Sequence, residues 1–347
     1  MTRPLRLATY NVEWFNNLFD DRGDLINDDH WSGRWDVTRA QQTAALGIVF
    51  QRLDADGIMV IEAPDSGRRR DGVAALEGFA AHFGLRARKA ILGFENDTQQ
   101  EIMFLHDPDR MTARHDPLGR VPDPGDPADA PRFDASLRID LDLDGGPDEV
   151  VWSKPPLELA ITTASGTVLR AIGVHVKSKA PTGARTEAEA IRLQIANRRK
   201  QLAQCIWLRR RIDAHLAAGD SLMVMGDFND GPGLDEYERL FGRSGVEIVL
   251  GEGAALRLFD PHAEAVIQPR KVTAALPTSA RFAVPPDFRW LMALLDYIMI
   301  SDDLRARAPK WRIFHPFEDP QIFADPTLRE ALLVASDHFP VVIDIDI

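Results

Sequence analysis

Leu222-Met223-Val224-Met225-Gly226-Asp227-Phe228-Asn229-Asp230 joins four apolar residues to a turn that carries two carboxylates and a carboxamide. An apolar run closed by glycine has the signature of a strand buried on both faces. A strand end offering Asp227 and Asn229 puts polar chemistry on a rigid edge, which is where open α/β sheets carry their sites. Gly, Asp and Asn are also the commonest turn formers, so these residues alone fit a plain turn equally well. The weight falls on whether other strand ends offer the same residue types.

Upstream, Thr186 to Leu216 has Ile191, Ile195, Leu202, Ile206, Trp207 and Ile212 at helical spacing, with Arg192, Arg198, Arg199, Lys200, Arg209, Arg210 and Arg211 expected on a solvated face. Before it, residues 158–162 and 168–174 flank Ser165-Gly166 as a hairpin, and the second strand ends in His175-Val176-Lys177-Ser178-Lys179. A histidine at a strand end beside two lysines points to a functional role. Residues 137–143 and 149–152 read as a second hairpin across Gly145-Gly146. Between residues 107 and 135, Pro108, Pro117, Pro122, Pro124, Pro127 and Pro131 remove ladder donors and helical geometry. This span is expected to be a surface excursion inside one domain covering 1–347.

Nearer the N-terminus, Leu5 to Val12 alternates as a strand ending at Asn11, helical spacing covers 38–53 and 73–83, and Ile58–Ile61 is a buried strand ending in Glu62. Glu101 stands just before the short strand Ile102–Leu105, and Asp20, Asp21, Asp24, Asp28 and Asp29 make an acidic loop. Downstream, 235–241 reads as a short helix and 250–286 as loop. Leu294–Ile300 reads as a strand with Asp296 in its apolar interior, and Ser336-Asp337-His338-Phe339-Pro340 feeds a final strand. A buried carboxylate costs several kcal/mol unless it is paired, so Asp296 requires a partner.

The 347 residues carry a net charge of −12, so no global basic field attracts a polyanion; an enzyme meeting phosphates through a local cation remains compatible. Cys205 is the single cysteine, which excludes an intrachain disulfide and a thiolate metal cluster and marks Cys205 as a buried small hydrophobe. The N-terminus lacks a leader-like apolar core, and no apolar run approaches roughly 18 residues. A cytoplasmic protein with no membrane segment and no obligate protein partner is therefore expected. Carboxylates, amides and imidazoles gathered without thiols suit a hard, oxygen-ligated cation such as Mg²⁺ or Mn²⁺.

Thr9-Tyr10-Asn11-Val12, Glu62, His175-Val176-Lys177-Ser178, Gly226-Asp227-Phe228-Asn229, Leu295-Asp296-Tyr297 and Ser336-Asp337-His338-Phe339-Pro340 together resemble the ordered motif set of the endonuclease/exonuclease/phosphatase superfamily, the deoxyribonuclease I-like fold. The resemblance covers residues 5 to 347. It implies a four-layer α/β sandwich, with two packed mixed sheets flanked by helices. It assigns Asn11, Glu62 and Asp337 to the metal, Asp227 to activation of the attacking water, and Asn229 to positioning that water and holding a phosphate oxygen. It implies that His338 stabilises the transition state with Asp296 as its orienting partner, and that His175 meets the phosphate, oriented by Glu101.

The aromatic-Trp-x-Gly-Asp-x-Asn signature of inositol-polyphosphate 5-phosphatases is absent here, since Val224-Met225 precedes Gly226. Lys154-Pro155-Pro156-Leu157 resembles the Arg-Pro-Pro-Leu element of bacterial extracellular-type nucleases, with lysine replacing the bidentate arginine. Lys154, Lys177 and Lys179 are the candidate substrate-phosphate contacts. The resulting expectation is a Mg²⁺- or Mn²⁺-dependent phosphodiesterase acting on nucleic acid as a nuclease. The rival substrates are a phospholipid, an inositol phosphate or a small nucleotide, and the rival class is an inactive binding protein on the same fold.

Overall fold

The computed structural model describes residues 3–119, 130–141, 146, 148–232, 242–268, 276–284 and 288–347. One sheet has six strands in the order β14 (Lys310–Ile313), β15 (Val341–Ile345), β1 (Leu5–Asn11), β2 (Gly57–Ala63), β4 (Glu101–His106), β3 (Lys89–Leu92). The other has five, in the order β13 (Asp296–Ile300), β10 (Leu222–Asp227), β9 (Val168–His175), β8 (Leu157–Thr163), β5 (Met111–His115). Each sheet contains one parallel pair, β1 with β2 and β9 with β10, among antiparallel neighbours. Both are therefore mixed sheets. They face one another so closely that a Cβ on Gly173 of β9 would lie 2.3 Å from Met59 Sδ of β2. One hydrophobic cluster, from Leu5 to Ile345, fills the space between and around them.

Helices cover the outside. α1 (Arg39–Leu53) begins at Thr38, whose side chain accepts from Gln41 N while the Gln41 side chain returns to the Thr38 N–H, a capping box that satisfies two orphan donors. α2 (Gly72–His82) lies against β3 and β4. The long α3 (Glu187–Ala218) ends at Gly219, which takes the left-handed conformation at φ 77°. α1 and α3 are the crossovers of the two parallel pairs, so each sheet contains a β-α-β unit whose strands end side by side.

Several local expectations change. Met111–His115, inside the span read as an excursion, pairs with β8 as an edge strand; residues 120–129 lie outside the described residues. The span 250–286 contains a helix, Pro261–Ile267, and the strand β11 (Ala280–Val284), which pairs with β12 (Arg289–Ala293) as a separate ribbon. The hairpin near 137–152 is β6 (Ser136–Ile139) with β7 (Asp148–Val151). The short helix expected over 235–241 lies outside the described residues. On α3, Ile191 is exposed, whereas Arg198, Arg209 and Arg211 are buried; residues 130–131, 230 and 249–256 turn their acceptors onto that face. Periodicity counted these arginines as solvent-facing because hydrophobicity cannot register a buried charge that has partners.

Candidate active site

The two parallel pairs and β13 deliver their polar ends to one edge of the sandwich. In the five-stranded sheet Asp227 stands between His175 of β9 and Asp296 of β13, its register partners on either side. Residues opposite one another in a ladder project to the same face, so the three side chains converge. From the facing sheet, Asn11 closes β1, and Glu62 sits in a bulge of β2 between Ile61 and Ala63 at φ 61°. Asn229 is also left-handed, at φ 49°. Positive φ at two non-glycine residues of one edge is the kind of backbone strain that collects at functional sites.

Asp227 is the hub. Its Oδ2 accepts from Asn11 Nδ2 and from Asn229 Nδ2, each at 3.0 Å, and its Oδ1 accepts from the Asn229 N–H at 2.7 Å. His175 Nε2 is 3.5 Å from the same Oδ2. Burial pushes the Asp227 carboxyl up to about 7; the His338 charge opposes that shift and Asp296 adds to it.

Asp296 opens β13 rather than lying in the strand interior, and it has the partner its burial demands: His338 Nδ1 is 2.7 Å from Asp296 Oδ2. Burial works against a charged His338, but Asp296, then Asp227 and Asp337 outweigh it and hold the imidazole well above its ordinary range. With Nδ1 on the carboxylate, Nε2 is the atom free to donate into the site. Ser279 Oγ donates to Asp296 Oδ2 at 2.8 Å and accepts the N–H groups of Leu295 and Asp296.

On the other flank, Lys154 Nζ lies 3.3 Å from His175 Nε2. Burial lowers the Lys154 ammonium, against the pull of Glu62 and Asp227, and burial followed by Lys154 drives His175 well below its normal value. His175 is thus a neutral imidazole beside a cation. Glu62 Oε2 accepts from Gln100 Nε2 at 2.8 Å, and burial raises its carboxyl, with Lys154 and His338 opposing.

The edge therefore gathers Asn11, Glu62, Lys154, His175, Asp227, Asn229, Asp296, Asp337 and His338. Glu101 and Lys179 are not brought there. Glu101 is buried at the start of β4 and accepts from Asn96 Nδ2 at 2.6 Å, while His175 Nδ1 has no partner, so the expected Glu101–His175 contact is absent. Lys179 Nζ is 2.7 Å from Asp230 Oδ1, held by a buried carboxylate instead of facing substrate. Lys177 stays at the margin, with its backbone fixed by Gln204 and Gln201 of α3.

Four participants carry little sequence signal. Glu13 is paired with Arg34, and burial, reinforced by Asp337 and opposed by Arg34, raises its carboxyl to about 7. Ser336 Oγ donates to the Asn11 carbonyl at 2.8 Å and accepts the His338 N–H, tying the last loop to the first strand. Ser279 completes the dyad from a proline-rich stretch without periodicity. Only Ser336, adjacent to Asp337-His338, was within reach of a motif argument.

The donor set fits a hard cation. Asn11 Oδ1, Asp296 Oδ1 and Asp337 Oδ1 are buried oxygens without a hydrogen-bond partner, and such orphans are costly unless something positive meets them. Asp227 and Asp296 also bring carboxylate oxygens within 4.8 Å of one another, beside the charged His338. Every oxygen in this set suits Mg²⁺ or Mn²⁺, and no thiolate is present.

The model of the Endonuclease/Exonuclease/phosphatase family matches residues 8–338, and the chain belongs to that family, whose members are hydrolases of phosphodiesters and phosphate esters. No curated protein sequence matches it. Among solved structures, a 3'-5' exonuclease (NExo) from Neisseria meningitidis superimposes with a TM-score of 0.50 at 14% identity, over 99% of this chain and 100% of that one. A mannosyl-6-phosphatase from Bacteroides thetaiotaomicron gives 0.48 at 12% identity, over 99% and 100%. TDP2 of D. rerio with a single-strand DNA product gives 0.49 at 11% identity, over 99% of each chain. At such identities the likeness is one of fold. The four-layer α/β sandwich expected from the motifs is the fold observed.

Proposed function

We propose that the chain is a Mg²⁺- or Mn²⁺-dependent phosphodiesterase, a nuclease in which water attacks the phosphorus in line with the leaving oxygen. The observation that carries this reading is Asp227, a buried carboxylate with a raised pKa, fixed by two carboxamides and facing a charged His338 held by Asp296. A phosphodiester is anionic, so hydrolysis needs a base for water and donors for the charge on phosphoryl oxygens.

Asp227 supplies the base, and Asn11 and Asn229 hold its carboxylate in one orientation. Asn229 Nδ2 donates to Asp227 and to the Val176 carbonyl, which leaves its Oδ1 to position the water. His338 Nε2 donates to the phosphoryl oxygen, while Asp296, braced by Ser279, keeps the ring charged and oriented. Lys154, one of whose N–H groups meets the Nε2 of neutral His175, offers its charge on the opposite flank. Asn11, Glu62 and Asp337 would hold the cation, which when bound supplies positive charge against the phosphate and its leaving oxygen.

The rival substrate class, a phospholipid, inositol phosphate or small nucleotide, is supported by the net charge of −12 and the acidic stretch from Asp20 to Asp29. The deciding experiment incubates purified protein with Mg²⁺ or Mn²⁺ and supercoiled plasmid, single-stranded oligonucleotide, RNA, bis-p-nitrophenyl phosphate or phospholipid, with a chelator control. Cleavage of nucleic acid that stops on chelation is expected. Turnover of only the small diester or the lipid would transfer the assignment to the rival, and turnover that survives chelation would overturn the mechanism.

A further inference from the structure

The ribbon of β11 and β12 is rooted on the catalytic dyad at both ends. Ser279, just before β11, braces Asp296; Ala280 bridges to His338; and the Arg281 N–H donates to the Asp337 carbonyl at 2.7 Å. β12 ends at Ala293, three residues before Asp296. A two-stranded ribbon is marginally stable alone, and this one has only Ala280, Ala293 and Leu295, with Phe282 against them, as its own core.

Beyond that core it is exposed in a way that needs explaining. Trp290 is 57% exposed, and its neighbours Leu291 and Met292, on opposite faces of the strand, are exposed as well. The Arg281 guanidinium lies 3.6 Å from the centroid of the Trp290 ring and 5.5 Å from that of the exposed Phe317. Burial lowers the Arg281 pKa, and among the described residues the guanidinium has ring contacts and no ion pair. An unpaired cation stacked on an open aromatic face is therefore attached directly to the segment that carries His338.

We infer that the β11–β12 ribbon is a docking arm for unpaired bases of a single-stranded nucleic acid, with the uncovered face of Trp290 stacking on a base and Arg281 meeting the adjacent phosphate. The inference rests on the nuclease reading above and names the form of its substrate. In a duplex each base face is already covered by its neighbours, so an open indole finds its match in an unpaired base. The phosphate next to that base needs a cation, and Arg281 is anchored one residue from the bridge to His338. A lipid surface is the less suitable occupant: interfacial anchors are surrounded by many Lys and Arg, whereas Trp290 is stacked by the single guanidinium of Arg281.

The test uses the full chain carrying Asp227→Ala, so that an oligonucleotide is bound without being cut. Fluorescence anisotropy with labelled oligothymidylate in Mg²⁺ is compared for Trp290→Ala, for Trp290→Phe, and for Phe323→Ala, an exposed aromatic that stacks with Arg329 and not with Arg281. Trp290→Ala is expected to weaken binding about tenfold, Trp290→Phe to retain most of it, and Phe323→Ala to leave it unchanged. Equal affinity in Trp290→Ala overturns the inference, as does Trp290-dependent binding to phosphatidylcholine–phosphatidylserine vesicles without any effect on the oligonucleotide. Cleavage of plasmid by the protein with Asp227 intact separates the two claims: cleavage with no role for Trp290 in binding sinks the docking arm alone, whereas no cleavage of any diester sinks the nuclease reading beneath it.

Discussion

Asp227 and Asp230 stand three positions apart and do unrelated work. Asp227 faces the site, and Asp230 turns back into the protein, where Oδ1 meets Arg198 Nη1 at 2.7 Å and Oδ2 accepts the Gly245 N–H at 2.6 Å. Asp227→Ala and His338→Ala are each expected to lower hydrolysis by at least ~10²–10⁴-fold with an unaltered circular-dichroism spectrum; near-normal turnover in either would remove that residue from the mechanism. Asp230→Ala should leave the catalytic groups in place but remove the buried carboxylate on which Arg198 and Lys179 converge. Breaking a buried pair from one side costs about 3–5 kcal/mol, which a shift in the urea midpoint would report. The same residue types hide the difference in the sequence: Asp230 reads as one more turn carboxylate, and its partners come from α3 and residue 245, remote along the chain.

At the scale of elements, the site follows from two β-α-β units whose parallel strands end together, so an apolar run switching to a polar residue was a reliable marker for Asn11, Glu62, His175 and Asp227. Glu101, which precedes its apolar run and was assigned by the resemblance alone, turns elsewhere, because the β2 bulge resets the register so that Glu101 faces Ala63, and Asn96 occupies its oxygens. Lys179 failed for another reason: proximity to His175 in sequence does not show that Asp230 already holds its ammonium. Gly226, the closing glycine of the apolar run, has φ 141°, and a Cβ there would lie 2.0 Å from the Val174 carbonyl oxygen of β9. Gly226→Ala is therefore expected to cost more than about 3 kcal/mol and to displace Asp227, seen as a lowered urea midpoint together with lost activity.

The segment leading to the helix Pro320–Phe323 gives a pH signature. His315 Nδ1 accepts the N–H groups of Phe317 and Glu318, and burial, assisted by Arg281, lowers its pKa from 6.5 to about 4. The unfolded chain then binds the extra proton throughout that interval, so stability should decline as pH falls from 6.5 toward 4. Urea midpoints across this range are expected to fall in the native protein and to fall less in His315→Asn; parallel curves would assign the acid sensitivity to other groups.

Across the whole molecule, neither sheet contains the site. The six-stranded sheet contributes Asn11 and Glu62, the five-stranded sheet His175, Asp227 and Asp296, and the loop before β15 contributes Asp337 and His338. The ordered motifs made this division legible over most of the chain, while Glu13–Arg34 and Ser279 were not, because these contacts, 21 and 17 positions apart, fall in stretches without periodicity or motif. A cation held by Asn11, Glu62 and Asp337, which lie far apart in the chain, should stabilise the folded protein: at a concentration 100 times its Kd the gain is ~2.7 kcal/mol. Mg²⁺ or Mn²⁺ is thus expected to raise the melting temperature of the native protein, with the increase lost in Glu62→Ala and reversed by chelator. An equal rise in both proteins would place the ion elsewhere.

β15 lies between β14 and β1, so the loop that carries Asp337 and His338 is moored to the strand that ends in Asn11. Asp227 and His175 lie on neighbouring strands of the other sheet and do not depend on that pairing. The seam between β15 and β1 is therefore a fault line through the site: its opening would carry His338 away and leave Asp227 beside His175.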